Sequence, residues 1–171
     1  MSILWDWHPF WNDLVRIAAA AVLGGAIGLE REWKGHWAGL RTHMMVAIGC
    51  AIFILAGLSV QGSSPEAAVS RVIQGITAGI GFLGAGTILK LDQKREIKGL
   101  TTASSIWLAA ALGTSAGLGE YALAMSAAIA SLFVLGVLGP IEKRIDDWHK
   151  TRQHIRLPDE TDSNGSSGEL R

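Results

Sequence analysis

Charge is what this chain has little of. Asp, Glu, Lys and Arg make up 18% of its 171 residues, against about 25% in soluble domains, and they are bunched, so that long stretches carry none. Acidic and basic residues balance to a formal net charge of zero, which hides the bunching and says nothing about nucleic acid. Basic residues are interleaved with aromatics only at the expected inner interface, where anionic lipid is the natural counter-charge, so no nucleic-acid partner is expected. Cys50 is the single cysteine. It excludes an intramolecular disulfide and, inside an apolar run, reads as a small buried hydrophobe. No activated nucleophile, Cys/His metal cluster or phosphate-binding loop is present, so nothing supports an enzyme. Gly79-Ile-Gly81-Phe-Leu-Gly84 has the G-x-G-x-x-G spacing. It lies within an apolar run, however, and lacks the preceding strand and the acid about 20 residues on that a dinucleotide site requires. His36 and His43 lie seven apart without an H-x-x-x-H or H-E-x-x-H frame and read as interfacial residues. The first thirteen residues contain neither Lys nor Arg, which excludes the basic start of a cleavable signal.

What is there is a set of five apolar stretches, at 14–29, 43–60, 67–89, 101–118 and 121–139. In hydrocarbon every backbone polar group must be satisfied within the protein, so spanning segments are helices or closed barrels. The run Ala18–Leu23 does not alternate as a barrel strand would. The predicted fold class is therefore all-α, a polytopic membrane helix bundle with five transmembrane helices. Thirteen of the fifteen Lys and Arg residues fall on one side of this map. Arg31, Lys34 and Arg41 lie in the first connection, Lys90, Lys94, Arg95 and Lys98 in the third, and the remainder follow residue 140. Connections rich in Lys and Arg stay inside the cell, which places the N-terminus outside and the C-terminus inside a bacterial inner membrane. Three regions follow: an outer interfacial aromatic segment over 1–13 (Trp5, Trp7, Phe10 and Trp11), the five-helix domain over 14–145, and a basic then disordered cytoplasmic tail over 146–171. Leu14–Leu29 alone spans roughly 24 Å, short of a ~30 Å hydrocarbon core, so the first helix is expected to continue through Trp33. Residues 61–65 read as a turn, with Glu66 in the first turn of the next helix.

Three sets of residues stand out. Gly24 and Gly28, Gly75 and Gly79, and Gly113 and Gly117 are pairs of small residues four apart. Such faces let helix backbones approach closely, within one bundle or between two copies in a homodimer. Gly81, Gly84 and Gly86 extend the third segment's small-residue run and are expected to pack it tightly against its neighbours. The second set is an inner-face polar cluster of Glu30, Arg31, Glu32, Arg41 and Thr42, with Thr101 and Thr102 at its mouth. Its expected form is an ion-pair network with Arg41 as bidentate partner of Glu30, serving either as a helix-end staple or as a pocket for an ion or a partner. Glu30 and Glu32 are weak candidates for Mg²⁺, because residues two apart do not share a helix face. The third set is Arg16, Arg71 and Gln74 at the outer ends, expected to snorkel to the headgroups. Ser104, Ser105, Thr114 and Ser115 are candidates for bonds across helices.

Gly28-Leu-Glu-Arg-Glu32, Ala38-Gly-Leu-Arg-Thr-His43, Gly79-Ile-Gly-Phe-Leu-Gly-Ala-Gly86 and Gly99-Leu-Thr-Thr-Ala103 with Trp107 resemble, in order, the signature blocks of the MgtC/SapB family. The resemblance covers roughly 12–145. It implies an inner-membrane protein of about five spans, linked to magnesium limitation, acid stress and survival inside host cells, and often labelled a magnesium-transport accessory. Longer members carry a C-terminal domain resembling an ACT fold. This chain ends about thirty residues after its fifth segment and so resembles the short, SapB-like branch. The resulting expectation is a non-enzymatic protein of magnesium homeostasis or stress adaptation. It would act by binding another membrane complex, with the lipid bilayer and a second copy of itself as further partners and no resident cofactor. The alternative is a small transporter or channel for Mg²⁺ or another solute. The lack of a carboxylate in mid-span weighs against it.

Overall fold

The computed structural model describes residues 7–60, 64–91 and 96–138. The chain divides into two compact units, Met1–Leu132 and Phe133–Arg171. In the second, only Phe133–Leu138 is described, and Val134–Leu138 forms a π-helical turn. The expected cytoplasmic tail over 146–171 lies outside the described residues.

The first unit is a helical bundle. α1 runs Trp7–Trp33, α2 Leu40–Leu58, α3 Pro65–Thr87, α4 Leu100–Leu118 and α5 Tyr121–Phe133. α1 is longer than its apolar stretch. Pro9 falls in the first turn, where a missing N–H costs nothing, so the helix absorbs residues 7–13 of the aromatic segment. Its 27 residues extend about 40 Å. α1 ends in a paired turn: Gly35 takes a left-handed φ of 72°, its N–H bonds Glu32 O at 3.0 Å and the His36 N–H bonds Arg31 O at 3.1 Å. α4 ends the same way, with Gly119 at φ 84° and bonds from Gly119 to Ala116 and Glu120 to Ser115. Both are Schellman closures, which favour glycine at the left-handed position. α3 opens as its sequence suggests, with Ser64 Oγ accepting the Ala67 N–H, Pro65 in the first position and Glu66 in the first turn.

One connection carries a short strand pair within the otherwise all-α bundle. Leu89–Leu91 (β1) pairs antiparallel with Glu96–Lys98 (β2), in the register Leu89 with Lys98 and Leu91 with Glu96. These triplets alternate apolar and charged residues, the two-residue period of a strand. The expected charged loop is thus a short ribbon at the foot of α3 and α4.

Four segments are long and apolar enough to cross a membrane: Phe10–Trp33, Leu40–Leu58, Pro65–Thr87 and Tyr121–Leu138. Their outer faces expose Val22, Phe53, Phe82 and Ile129, each more than 60% accessible, an arrangement suited to lipid rather than water. α4 is not among the four. It is also the most enclosed of the described helices, burying Thr102, Ser105, Ile106, Ala109, Ala110, Leu112, Gly113, Ala116 and Gly117. Walled in by protein, it buries the hydroxyls of Thr102 and Ser105. Ser104 and Thr114 bond back to Leu100 O and Ala110 O within α4.

The core is the three-way packing of α1, α2 and α4. It is built from small residues. A Cβ on Gly24 would stand 2.7 Å from both Ala47 Cβ and His43 O, and one on Gly28 would stand 2.8 Å from Leu40 Cα. A Cβ on Gly113 would collide with the Ala47 backbone, and one on Gly117 would lie 2.9 Å from Ala51 Cα. The glycines of α3 behave differently, which corrects the expected tight packing of that helix. A Cβ on Gly75, Gly79, Gly81 or Gly86 meets nothing within 4 Å, and one on Gly84 meets only Ala103 Cβ at 3.7 Å. α3 rests on α2 and α4 through Ala68, Ile80 and Gly84, and its glycines are otherwise open.

Gly113→Ala will therefore destabilise the protein by about 1–3 kcal/mol or more, because it overpacks against backbone. Gly79→Ala will be neutral, or stabilising by up to about 1 kcal/mol, from helix propensity. Thermal unfolding of the two variants in one detergent checks the contrast.

Candidate functional site

The polar residues gather where α1 ends, α2 begins and α4 begins. Glu30 is largely enclosed, its side chain 15% exposed. Its Oε1 receives Lys34 Nζ at 2.5 Å, one helical turn on, and its Oε2 faces Arg31 Nη1 at 3.7 Å. Arg31 is 2% exposed. Glu32 turns the other way. Its Oε2 accepts the Leu40 N–H at 2.7 Å, satisfying a donor in the first turn of α2 that the helix itself cannot.

Beneath this rim lies a buried relay. His43 is fully enclosed. Its Nδ1 lies 2.8 Å from Gly39 O and its Nε2 2.9 Å from Ser105 Oγ. A carbonyl only accepts, so His43 Nδ1 donates to Gly39 O and the single Ser105 proton goes to Thr102 O, while Nε2 lies against the Ser105 oxygen. The same hydroxyl stands 2.8 Å from Thr102 O. One imidazole thus ties the α1–α2 connection to the first turns of α4.

The structure therefore gathers Glu30, Arg31, Glu32 and Thr102 around a pair, His43 and Ser105, that the sequence cluster omitted. His43 is a core residue, not an interfacial one. The signal was present: His43, Ala47, Cys50, Ala51 and Ile54 are all buried and follow the spacing of one helix face. Arg41, Thr42 and Thr101 are exposed. Among the described residues Arg41 makes no ion pair with Glu30, whose carboxylate is taken by Lys34 in the turn just past α1. Glu30 and Glu32 point to separate partners, and no group of three His, Cys, Asp or Glu capable of holding a metal forms among the described residues.

At the opposite end, Arg16 does not snorkel. Its Nη1 donates to Gly117 O at 2.9 Å, a cation at the last turn of α4, where the helix dipole favours it. Arg71 and Gln74 are exposed on α3. Between α2 and α3 an apolar groove of about 530 Å³ is lined by Cys50, Phe53, Val72, Gly75, Ile76 and Gly79, among others.

Ser105→Ala will leave His43 Nε2 buried without a partner, at a cost of about 1–3 kcal/mol. His43→Ala will cost more, since it also opens a cavity. The double variant will lose less than the sum of the two; strict additivity in denaturation would refute the bond.

Residues 17–144 match the profile of the MgtC family. The chain is 38% identical to Protein MgtC of Salmonella typhimurium (strain LT2) over 133 residues, 78% of this chain and 55% of the relative. It is 40% identical to Protein SrpB of Synechococcus elongatus over 129 residues, covering 70% and 71% of the two chains. It is likewise 40% identical to Protein MgtC of Brucella abortus over 131 residues, covering 77% and 52%. The chain spans about half the length of these MgtC relatives. No solved structure matches it. With three quarters of its length inside the family profile and several apolar helices to place in lipid, this multi-pass membrane protein belongs to the MgtC family.

Proposed function

We propose that this protein is a non-catalytic component of the bacterial inner membrane that serves magnesium homeostasis or stress adaptation by contacting another membrane complex. Its chain crosses five times, with the N-terminus outside and the C-terminus inside. α4 supplies the fifth crossing: its 19 residues extend about 28 Å, enough for a helix sheltered by its neighbours. The bias of Lys and Arg toward the first and third connections and the residues after 140 supports the orientation.

The observation that carries the reading is the concentration of polar chemistry at one end of the bundle. Glu30, Arg31, Lys34, His43 and Ser105 meet within the first and last turns of three helices. Ionisable residues inside a membrane mark function by default, and a cluster at the end of a span is placed to meet a partner rather than to line a path. Family membership points to magnesium. The exposed Gly75 and Gly79 face of α3 is the surface open to a second copy of the chain.

Glu30→Gln and Lys34→Ala, inserted at wild-type levels, are expected to lose the growth advantage the protein confers in low magnesium. Full retention would reduce the cluster to a structural staple. Purified protein in liposomes is expected to pass no Mg²⁺ down a gradient; sustained flux would favour a channel instead. In a Cys50→Ala background, Trp37→Cys should react with a membrane-impermeant maleimide only after the cells are opened. Labelling of intact cells would invert the topology.

A further inference from the structure

The Arg31 side chain is half used. Nη1 faces Glu30, but Nε and Nη2 are buried and make no hydrogen bond. These two atoms share one edge of the guanidinium, where their N–H groups point in parallel. It is the edge that grips two oxygens of a carboxylate or a phosphate at once. Glu30 therefore touches a corner of the group and leaves its bidentate edge unmatched.

Among the described residues Glu30 is the carboxylate that faces Arg31, at 3.7 Å, and Lys34 holds it closer. Glu32 points instead to the Leu40 N–H. Arg31, the more deeply buried of the two cations, is therefore the incompletely matched one. A buried charge without a counter-ion is strongly disfavoured, so the site calls for one more anion.

We propose that the Nε/Nη2 edge of Arg31 binds the phosphate oxygens of a lipid headgroup. Depth selects this anion. Trp33, two residues beyond Arg31, is 82% exposed, and Trp37 in the following connection is 89% exposed. Exposed tryptophans settle at the level of the headgroups, so Arg31 lies close to the plane of the phosphodiesters. Arg41, exposed in the first turn of α2, adds to the attraction for anionic lipid at that surface. Free inorganic phosphate offers the same oxygens, and the experiment separates the two sources.

The test is native mass spectrometry of the full chain in mild detergent with added phosphatidylglycerol. Dioleoylglycerol, which has the acyl chains without the phosphate, and inorganic phosphate serve as comparators. One phosphatidylglycerol is expected to stay bound to the wild type and to Arg41→Gln. Its occupancy should fall about tenfold, equivalent to about 1.4 kcal/mol, in Arg31→Gln and in Arg31→Lys, which keeps the charge but loses the parallel edge. Dioleoylglycerol should not be retained. Wild-type retention by both Arg31 variants, or equal retention of dioleoylglycerol, overturns the proposal. Displacement of the lipid by inorganic phosphate overturns the lipid as the source and assigns the edge to free phosphate. If Arg31→Gln cannot be recovered folded, Arg31→Lys and the wild-type comparison of the two lipids decide.

Discussion

Ala47 is gripped from two sides. Gly24 of α1 and Gly113 of α4 each bring backbone against it, so close that neither could carry a methyl group without displacing α2. This double approach sets the rotation and height of α2 within the bundle. His43 lies one turn earlier on the same face, and its position follows from the same constraint. Its carbonyl packs against Gly24 and its ring reaches Ser105. The polar relay at one end of the molecule thus depends on a packing of small residues deeper in the core.

Inside lipid, burial of apolar surface does not by itself favour one helix pairing over another. Close packing and polar contacts carry the specificity. The order of the helices reflects this. α4, which is not among the four segments apolar enough to cross a membrane by themselves, sits inside, and the hydroxyls of Ser104, Ser105 and Thr114 bond within the helix or meet His43. Each end of this core has its own polar tie. His43 joins the connection before α2 to the start of α4, and Arg16 of α1 closes the last turn of α4. Among the described residues α3 and α5 show no comparable ties. They present large apolar side chains outward, such as Phe82 on α3 and Ile129 on α5.

Much of this could be read in advance, and the failures are instructive. The end of the first helix near Trp33 and the start of the third after the 61–65 turn were legible because length, turn residues and caps act locally and need only a few neighbours. The small-residue pairs were legible as pairs but not as contacts. Gly24 with Gly28 and Gly113 with Gly117 pack backbone to backbone, whereas Gly75 with Gly79 has identical spacing and meets nothing. Spacing states which face a residue occupies and is silent on what stands opposite. The polar cluster showed the same division. Glu30 and Arg31 were found because charges next to an apolar run are conspicuous. Ser105 was named as a candidate for a bond across helices, but its partner was not, because His43 lies 62 positions away, and the expected link from Glu30 to Arg41 gave way to Lys34, four residues along the chain.

The amino-acid order alone determined that lipid is the solvent, where the apolar helices lie, and where several of them begin and end. Those properties follow from hydropathy, backbone freedom and capping, each of which acts over a few residues. Only the tertiary structure decided which glycines are contacts, that α4 is the enclosed helix, that His43 is core, and that Arg31 keeps one edge unmatched. Each of these depends on which surfaces meet, and that is settled by the close packing of three distant segments at once.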